Sequence, residues 1–350
     1  MIGISLCMIV KNEEKNIKKC LESVVDIVDE IIVVDTGSVD NTKNIVTNFT
    51  DKLFDYRWNN DFADARNYSV SFAENDWILI LDADECIKMG NKDDIVDIMK
   101  ENEYSIGRIV IESEYTRQGQ KYIEIDHVAR LFSKKYYTFD GVIHEQLVPL
   151  NGIPKKSFEL DLVISHSGYS GDFTERNRKA NRNIELLMKA KDTSDNKQYI
   201  SYQIGKSYYM IEDYGNARKY FEEAMQYNLR PELDYVQDLV ETYGYSLINT
   251  GKYKEAMNFL DIYDEFSGSA DFLFLIAHIL LNNEYYVEAI NEFLKATQAN
   301  ICKVVGVNEY LSYYNIGVIY ECLGEKSKAI YYYRKSIGYY PAEDRLKQLL

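Results

Sequence analysis

The chain opens with short blocks of continuous apolar residues, each followed by a polar stretch of helical period. Residues 3–10 read as a strand buried on both faces. Lys11-Asn12-Glu13-Glu14 then open a helical pattern that sets Ile17, Leu21, Val24 and Val25 on one face. A second strand covers 30–35 and its turn 36–41, with Asp40 placed to cap a helix through Ile45 and Phe49. A third strand spans 53–58, a helix runs from about 62 to 73, and a fourth apolar strand covers 77–81. Strands alternating with helices at this spacing predict a mostly parallel sheet with helices on both faces. Such sheets bind ligands outside the carboxyl ends of their strands. Lys11, Asn12, Glu13, Asp35, Asp82 and Asp84 all fall at those ends.

The fourth strand closes on Leu81-Asp82-Ala83-Asp84-Glu85, three carboxylates within four residues. A buried strand end carries such charge only where it is paired, hydrogen-bonded or bound to a cation. On an extended backbone Asp82 and Asp84 point the same way. Two hard oxygen ligands there suit Mg2+ or Mn2+, which fill their other positions with phosphate and water. An acidic turn is the plainer alternative. No G-x-G-x-x-G follows the first strand, so a dinucleotide-binding fingerprint is absent.

Four segments occur in order: Met8-Ile9-Val10-Lys11-Asn12-Glu13-Glu14, Val34 to Thr42 (VDTGSVDNT), Asp61 to Asn67 (DFADARN) and Asp82-Ala83-Asp84-Glu85. Together they resemble glycosyltransferase family 2 over roughly residues 1–170, whose members are inverting enzymes with a nucleotide-sugar-binding α/β fold of the GT-A type. The resemblance implies a metal-dependent enzyme using a nucleotide-sugar donor. Asp35 would sit beside the base, where a carboxylate accepts the N3–H of uracil; guanine also offers donors, so a UDP-sugar is favoured. Val10, Asn12, Glu13 and Ala83 would line the same pocket, although Glu13 also suits a helix start. Arg66 would reach the base or diphosphate, unless it forms a helix-surface ion pair with Asp61 or Asp64. Asp82 would approach the ribose or a metal-bound water, and Asp84 would ligate the metal, Mn2+ or Mg2+.

Further on, Arg130-Leu131-Phe132 and Gly141-Val142-Ile143-His144-Glu145 match a pattern of members related to lipooligosaccharide-core glucosyltransferases. An inverting transfer is a single displacement and needs one base for the acceptor's proton. Glu145 is the candidate base, with His144 as the competing assignment or a diphosphate contact. Arg130 would hold a phosphate or an acceptor carboxylate, or form a structural ion pair. In related folds a histidine from the region of His166 joins the same metal; imidazole favours Mn2+, and a hydrogen-bonded structural role is the alternative. His127 reads as preceding a strand, and His278, in an apolar run, as a core histidine.

Beyond residue 172 strand signals vanish and a repeat emerges. Gly205, Tyr214, Ala217, Phe221 and Ala224 recur as Gly244, Tyr253, Ala256, Leu260 and Tyr263, as Ala277, Tyr286, Ala289, Phe293 and Ala296, and as Gly317, Lys326, Ala329, Tyr333 and Ser336. Small residues let paired helices approach, aromatics fill the groove, and Pro341 falls where such a repeat ends its helix. The expected organisation is a family 2 catalytic domain over 1–171, a connecting helix over 172–197, and an all-α tetratricopeptide-like array over 198–350. An irregular helical bundle is the plainer alternative. Such arrays bind peptides or mediate self-association into homo-oligomers.

The 350 residues carry 40 basic and 56 acidic side chains, a net charge of −16, which argues against nucleic acid or an anionic membrane as partner. Five cysteines lack metal-type spacing and fit a reducing cytoplasm. The first ten residues lack a basic start and read as a strand rather than a signal peptide; no run is long enough to span a membrane. The expected function is transfer of a sugar to a peptide or protein side chain delivered by the repeats, as in bacteriocin peptide glycosyltransferases that modify Cys or Ser. The alternatives are transfer to a cell-surface glycan and a repeat scaffold whose transferase domain has decayed; intact Asp82-Ala83-Asp84 and His144-Glu145 argue against decay.

Overall fold

The apolar blocks of the first half assemble into one sheet. The computed structural model describes residues 2–117, 120–166, 173–192 and 196–350, in two units, Met1–Asp172 and Phe173–Leu350. In the first unit β1 (Ile4–Val10), α1 (Ile17–Val24), β2 (Glu30–Asp35), α2 (Thr42–Val46), β3 (Leu53–Asp55), α3 (Phe62–Ser71) and β4 (Trp77–Ile80) alternate as expected. They are followed by β5 (Glu85–Met89), α4 (Lys92–Glu101), β6 (Ile106–Arg117), β7 (Gln120–Ser133), β8 (Tyr137–Asp140), β9 (Gln146–Pro149) and β10 (Ser157–His166). The eight-stranded sheet has the order β3-β2-β1-β4-β7-β6-β10-β5, with β8 and β9 paired separately. β1 to β4 run parallel, whereas β7 is antiparallel to both β4 and β6.

Period-two alternation along β1 buries both faces. Ile4, Leu6, Met8 and Val10 pack with Ile17, Leu21 and Val24 of α1, while Cys7 joins Ile32, Ile78, Ile80 and Ala73 on the opposite side. Several boundaries differ from the sequence reading. Residues 11–14 form a loop, and α1 starts only at Ile17. β3 stops at Asp55, three residues early. The acidic stretch is not extended: Asp82 to Asp84 form a turn closed by Glu85 N–H donating to the Asp82 carbonyl at 3.0 Å. Strand alternation therefore does not point Asp82 and Asp84 the same way. His127 lies within β7, where its Nδ1 is 2.7 Å from Glu159.

The second unit is all helical. α5 (Phe173–Lys191) leads into α6 (Lys197–Met210) and α7 (Tyr214–Met225), then α8 (Asp234–Asn249). The partner of α8 is broken into α9 (Tyr253–Ala256), a 3-10 turn (Met257–Ile262) and α10 (Tyr263–Phe266), which together bury Phe259 and Phe266. Next come α11 (Ala270–Asn282) with α12 (Tyr286–Ala296), α13 (Tyr310–Cys322) with α14 (Lys326–Lys335), and α15 (Tyr340–Leu349). The small repeat positions are close approaches. A Cβ on Gly205 would stand 2.5 Å from Phe221, and one on Gly317 would stand 2.6 Å from Tyr333. Pro341 does not end a helix but sits in the first turn of α15, where its missing N–H is harmless.

The insertion before α13 folds back onto the array. Asp271 accepts from the backbone N–H of Lys303 and of Val304, and the Lys303 ammonium reaches Asp238 at 3.1 Å. Asp238 also binds Lys206 and the Tyr202 hydroxyl. Burial opposes its charge, yet the two lysines outweigh burial and hold its carboxyl below the ordinary range. His278 stacks edge-on against Phe274 and Phe293, at 4.7 and 5.3 Å between ring centres.

Candidate active site

Two loops at the ends of β1 and β2 are stitched to each other. Asn12, at φ 57°, donates its N–H to the Ser38 hydroxyl at 2.8 Å, and its side-chain oxygen accepts from Val39 N–H at 2.9 Å. Asn is among the few side chains that tolerate this left-handed backbone. Glu13 N–H donates to Thr42, while the Glu13 carboxylate accepts from Asn16 at the start of α1. The Val10 carbonyl is taken by Thr36 through both N–H and hydroxyl. Between these loops sits Asp35, only 1% exposed. Its Oδ1 accepts from Gly37 and Ser38 N–H at 2.9 and 2.8 Å. Its Oδ2 is buried with no protein partner.

At the end of β4 the acidic turn meets two arginines. The Asp61 side chain caps α3 by accepting from Asp64 N–H, and the helix carries Arg66 into the crevice, where it is 7% exposed. Arg66 therefore makes no surface pair with Asp61 or Asp64. It donates from Nη2 to Asp82 at 2.9 Å and from Nε to Glu145 at 2.5 Å, and its guanidinium lies 5.8 Å from the centre of the Phe139 ring. Arg130, from β7, donates from one Nη to Asp82 at 3.2 Å and to Glu85 at 2.5 Å. Arg66 Nη1 and Arg130 Nε are both buried and unpartnered. The setting works against a charge on Asp82, but the two guanidinium groups outweigh it and keep its carboxyl far below the ordinary range. Burial pushes Glu85 the other way, upward, with Arg130 opposing. Both Asp82 oxygens are thus engaged by arginine.

Asp84 leaves the turn in another direction. Its Oδ2 lies 3.7 Å from His166 Nε2, at the end of β10, and both side chains are largely buried. Burial disfavours a charged imidazole, yet Asp84 outweighs that cost and raises the His166 pKa. The other ring nitrogen lies 3.2 Å from the Ser113 hydroxyl. One carboxylate and one imidazole at this span suit an ion that keeps phosphate and water in its other positions. Among the described residues no group of three or more His, Cys, Asp and Glu side chains is placed to hold a metal ion.

Glu145 hangs on the loop between β8 and β9. Two left-handed residues shape that loop, Gly141 at φ 103° and His144 at φ 51°. It is tied to α3 where Phe62 N–H donates to the Val142 carbonyl, and Asn67 anchors the preceding strand through Phe139 and Thr138. His144 is adjacent in the same loop, and Ala83 is buried in the acidic turn. The structure thus brings Arg66, Asp82, Glu85, Arg130 and Glu145 into one charged network, with Asp84 and His166 beside it. Glu85 and Ser113 are the contributors with no role assigned from sequence. Glu85 had a signal, as the third carboxylate of a buried strand end; Ser113 had none.

A mostly parallel sheet with loop-bound carboxylates and buried arginines at its strand ends is a GT-A-like domain. Residues 5–159 match the family model Glycosyl transferase family 2, and residues 310–343 match Tetratricopeptide repeat. The chain carries a family 2 glycosyltransferase domain followed by tetratricopeptide repeat structure. It is 37% identical over 188 residues to the SPbeta prophage-derived glycosyltransferase SunS of Bacillus subtilis, covering 52% of this chain and 44% of that protein. It is 30% identical over 150 residues to an uncharacterized glycosyltransferase of Rickettsia typhi, covering 41% of this chain and 51% of that one. The chain thus spans about half the length, or less, of these relatives. Among solved structures, YrrB, described as a TPR protein with an unusual peptide-binding site, aligns with 46% of this chain and 78% of its own at 22% identity and a TM-score of 0.38.

Proposed function

We propose that this protein transfers a sugar, with inversion, from a nucleotide-sugar donor, UDP-linked by preference, to a side chain of a peptide or protein. The observation that carries the donor half is the presence, at the strand ends of the first unit, of three buried polar atoms without protein partners: Asp35 Oδ2, Arg66 Nη1 and Arg130 Nε. Buried polar atoms are rarely left unpaired. One carboxylate oxygen and two guanidinium N–H groups complement the imide of a uracil and the oxygens of a diphosphate. The stitched loops of Val10, Asn12 and Glu13 hold Asp35 in place, and Ala83 keeps the turn slim where the donor lies. Glu145 takes the acceptor's proton, with His144 beside it. Asp84 and His166 hold the divalent ion, Mn2+ or Mg2+. When bound, that ion supplies positive charge for the departing diphosphate. Five free cysteines fit a reducing cytoplasm as the setting, and no described helix is long and apolar enough to cross a membrane.

The donor reading is tested by calorimetry of UDP binding. Replacing Asp35 with alanine is expected to weaken UDP by roughly 10- to 100-fold, the cost of one lost hydrogen bond to a charged group. An unchanged affinity clears Asp35 of that role.

The acceptor half rests on the repeats. Lys206, Tyr245, His278 and Val318 occupy the same repeat position on α6, α8, α11 and α13, and each is half-buried. The Tyr245 and His278 rings lie 6.3 Å apart, so this row runs from helix to helix. An extended peptide fits such a row. Tyr245→Glu is expected to raise the KM for a polypeptide acceptor by about tenfold or more while leaving donor hydrolysis unchanged. Unaltered polypeptide transfer by this variant points instead to a glycan acceptor, with the array serving assembly.

A further inference from the structure

We propose that Arg66 is a positioning residue for which Glu145 and the donor diphosphate compete, so that the base is released only after the donor has bound. The inference rests on the functional reading above and adds an order of events to it. In the donor-free chain the Glu145 carboxylate is held by Arg66 Nε at 2.5 Å, with side-chain exposures of only 12% and 9%. Among the described residues Arg66 is its one ion-pair partner. The bond engages one oxygen of the Glu145 carboxylate on Arg66, so that oxygen is not presented to an acceptor. The free enzyme therefore carries a masked base.

The same guanidinium holds a buried Nη1 that no protein group satisfies. Phosphate oxygens are the complementary ligand, and a planar guanidinium grips them as readily as a carboxylate. A diphosphate arriving there brings negative charge against a group already shared by Asp82 and Glu145. Asp82 stays put, since Arg130 holds it from the other side at 3.2 Å. Among the described residues Glu145 has no second cation in ion-pair contact, and its loop is the element that yields. Donor binding thus frees the base at the moment an acceptor can be used.

The test is calorimetry of UDP, with GDP as a second probe, on the full chain at fixed Mg2+. Glu145→Gln keeps the shape but leaves only a neutral hydrogen bond on Arg66, so UDP should bind several-fold more tightly than to the wild type. In an Arg66→Lys background the same change should give no gain, because the fork competed for is gone. A gain that persists there reflects general charge removal and overturns the inference, as does an unchanged or weaker affinity in the single variant. Should Glu145→Gln fail to fold, Glu145→Asp, whose shorter carboxylate falls short of Arg66, carries the same expectation. The two readings fail differently. Tighter UDP with normal transfer leaves the competition standing and removes Glu145 as the base. Failure of the wild type to bind either nucleotide removes both.

Discussion

Glu145→Gln should lower transfer to a hydroxyl acceptor by roughly 10²–10⁴, the usual contribution of a positioned general base. The amide retains the shape of the side chain and a hydrogen-bond acceptor for Arg66, so the charged network keeps its form. It cannot take a proton. A single-turnover assay read by mass spectrometry of the acceptor isolates this step from product release. A cysteine acceptor should show a smaller loss, because a thiol is already partly ionised near neutral pH. A near-normal rate with a serine acceptor moves the base to His144, which shares the loop.

How much of this was readable before the fold depends on distance along the chain. The alternating strands and helices of residues 3–81 were visible because each is a local pattern, and the turn at 82–85 announced itself by its charge density. The partners of that charge were not visible. Arg66 and Arg130 reach Asp82 across 16 and 48 positions, and Arg66 reaches Glu145 across 79. No local period encodes such pairings; they follow from α3 packing on β1, β2 and β8 while β7 pairs with β4, so that an arginine from each reaches the turn after β4. The expectation that Asp82 and Asp84 share one side assumed extended backbone, and a turn sends one to the arginines and the other to His166. That histidine arrives through the parallel pairing of β10 with β6, which also supplies Ser113. The helical array was legible for the opposite reason. Its small and aromatic positions repeat within single helix pairs, so Gly205 against Phe221 is a contact between close neighbours in sequence.

Asp84→Ala should remove most transfer, on the order of 10²–10³-fold, while the arginine network stays intact. The carboxylate is not one of the arginines' ion-pair partners: Asp82, Glu85 and Glu145 are paired with Arg66 and Arg130, whereas Asp84 faces His166. Its loss should therefore spare the folded core and, on the proposed reading, remove one of the two side chains that would hold a divalent ion. Such an ion offsets the charge of the leaving diphosphate, a contribution of several kcal/mol in comparable sites. Binding separates this account from a purely structural one. In the wild type, UDP should bind more tightly with Mn2+ than with chelator, and in Asp84→Ala the two conditions should converge. The affinity in chelator should be similar for both proteins, since Asp35, Arg66 and Arg130 are untouched. Full activity of Asp84→Ala in chelator would sink the metal role. A loss of UDP affinity in chelator would instead mean that Asp84 shapes the donor pocket directly.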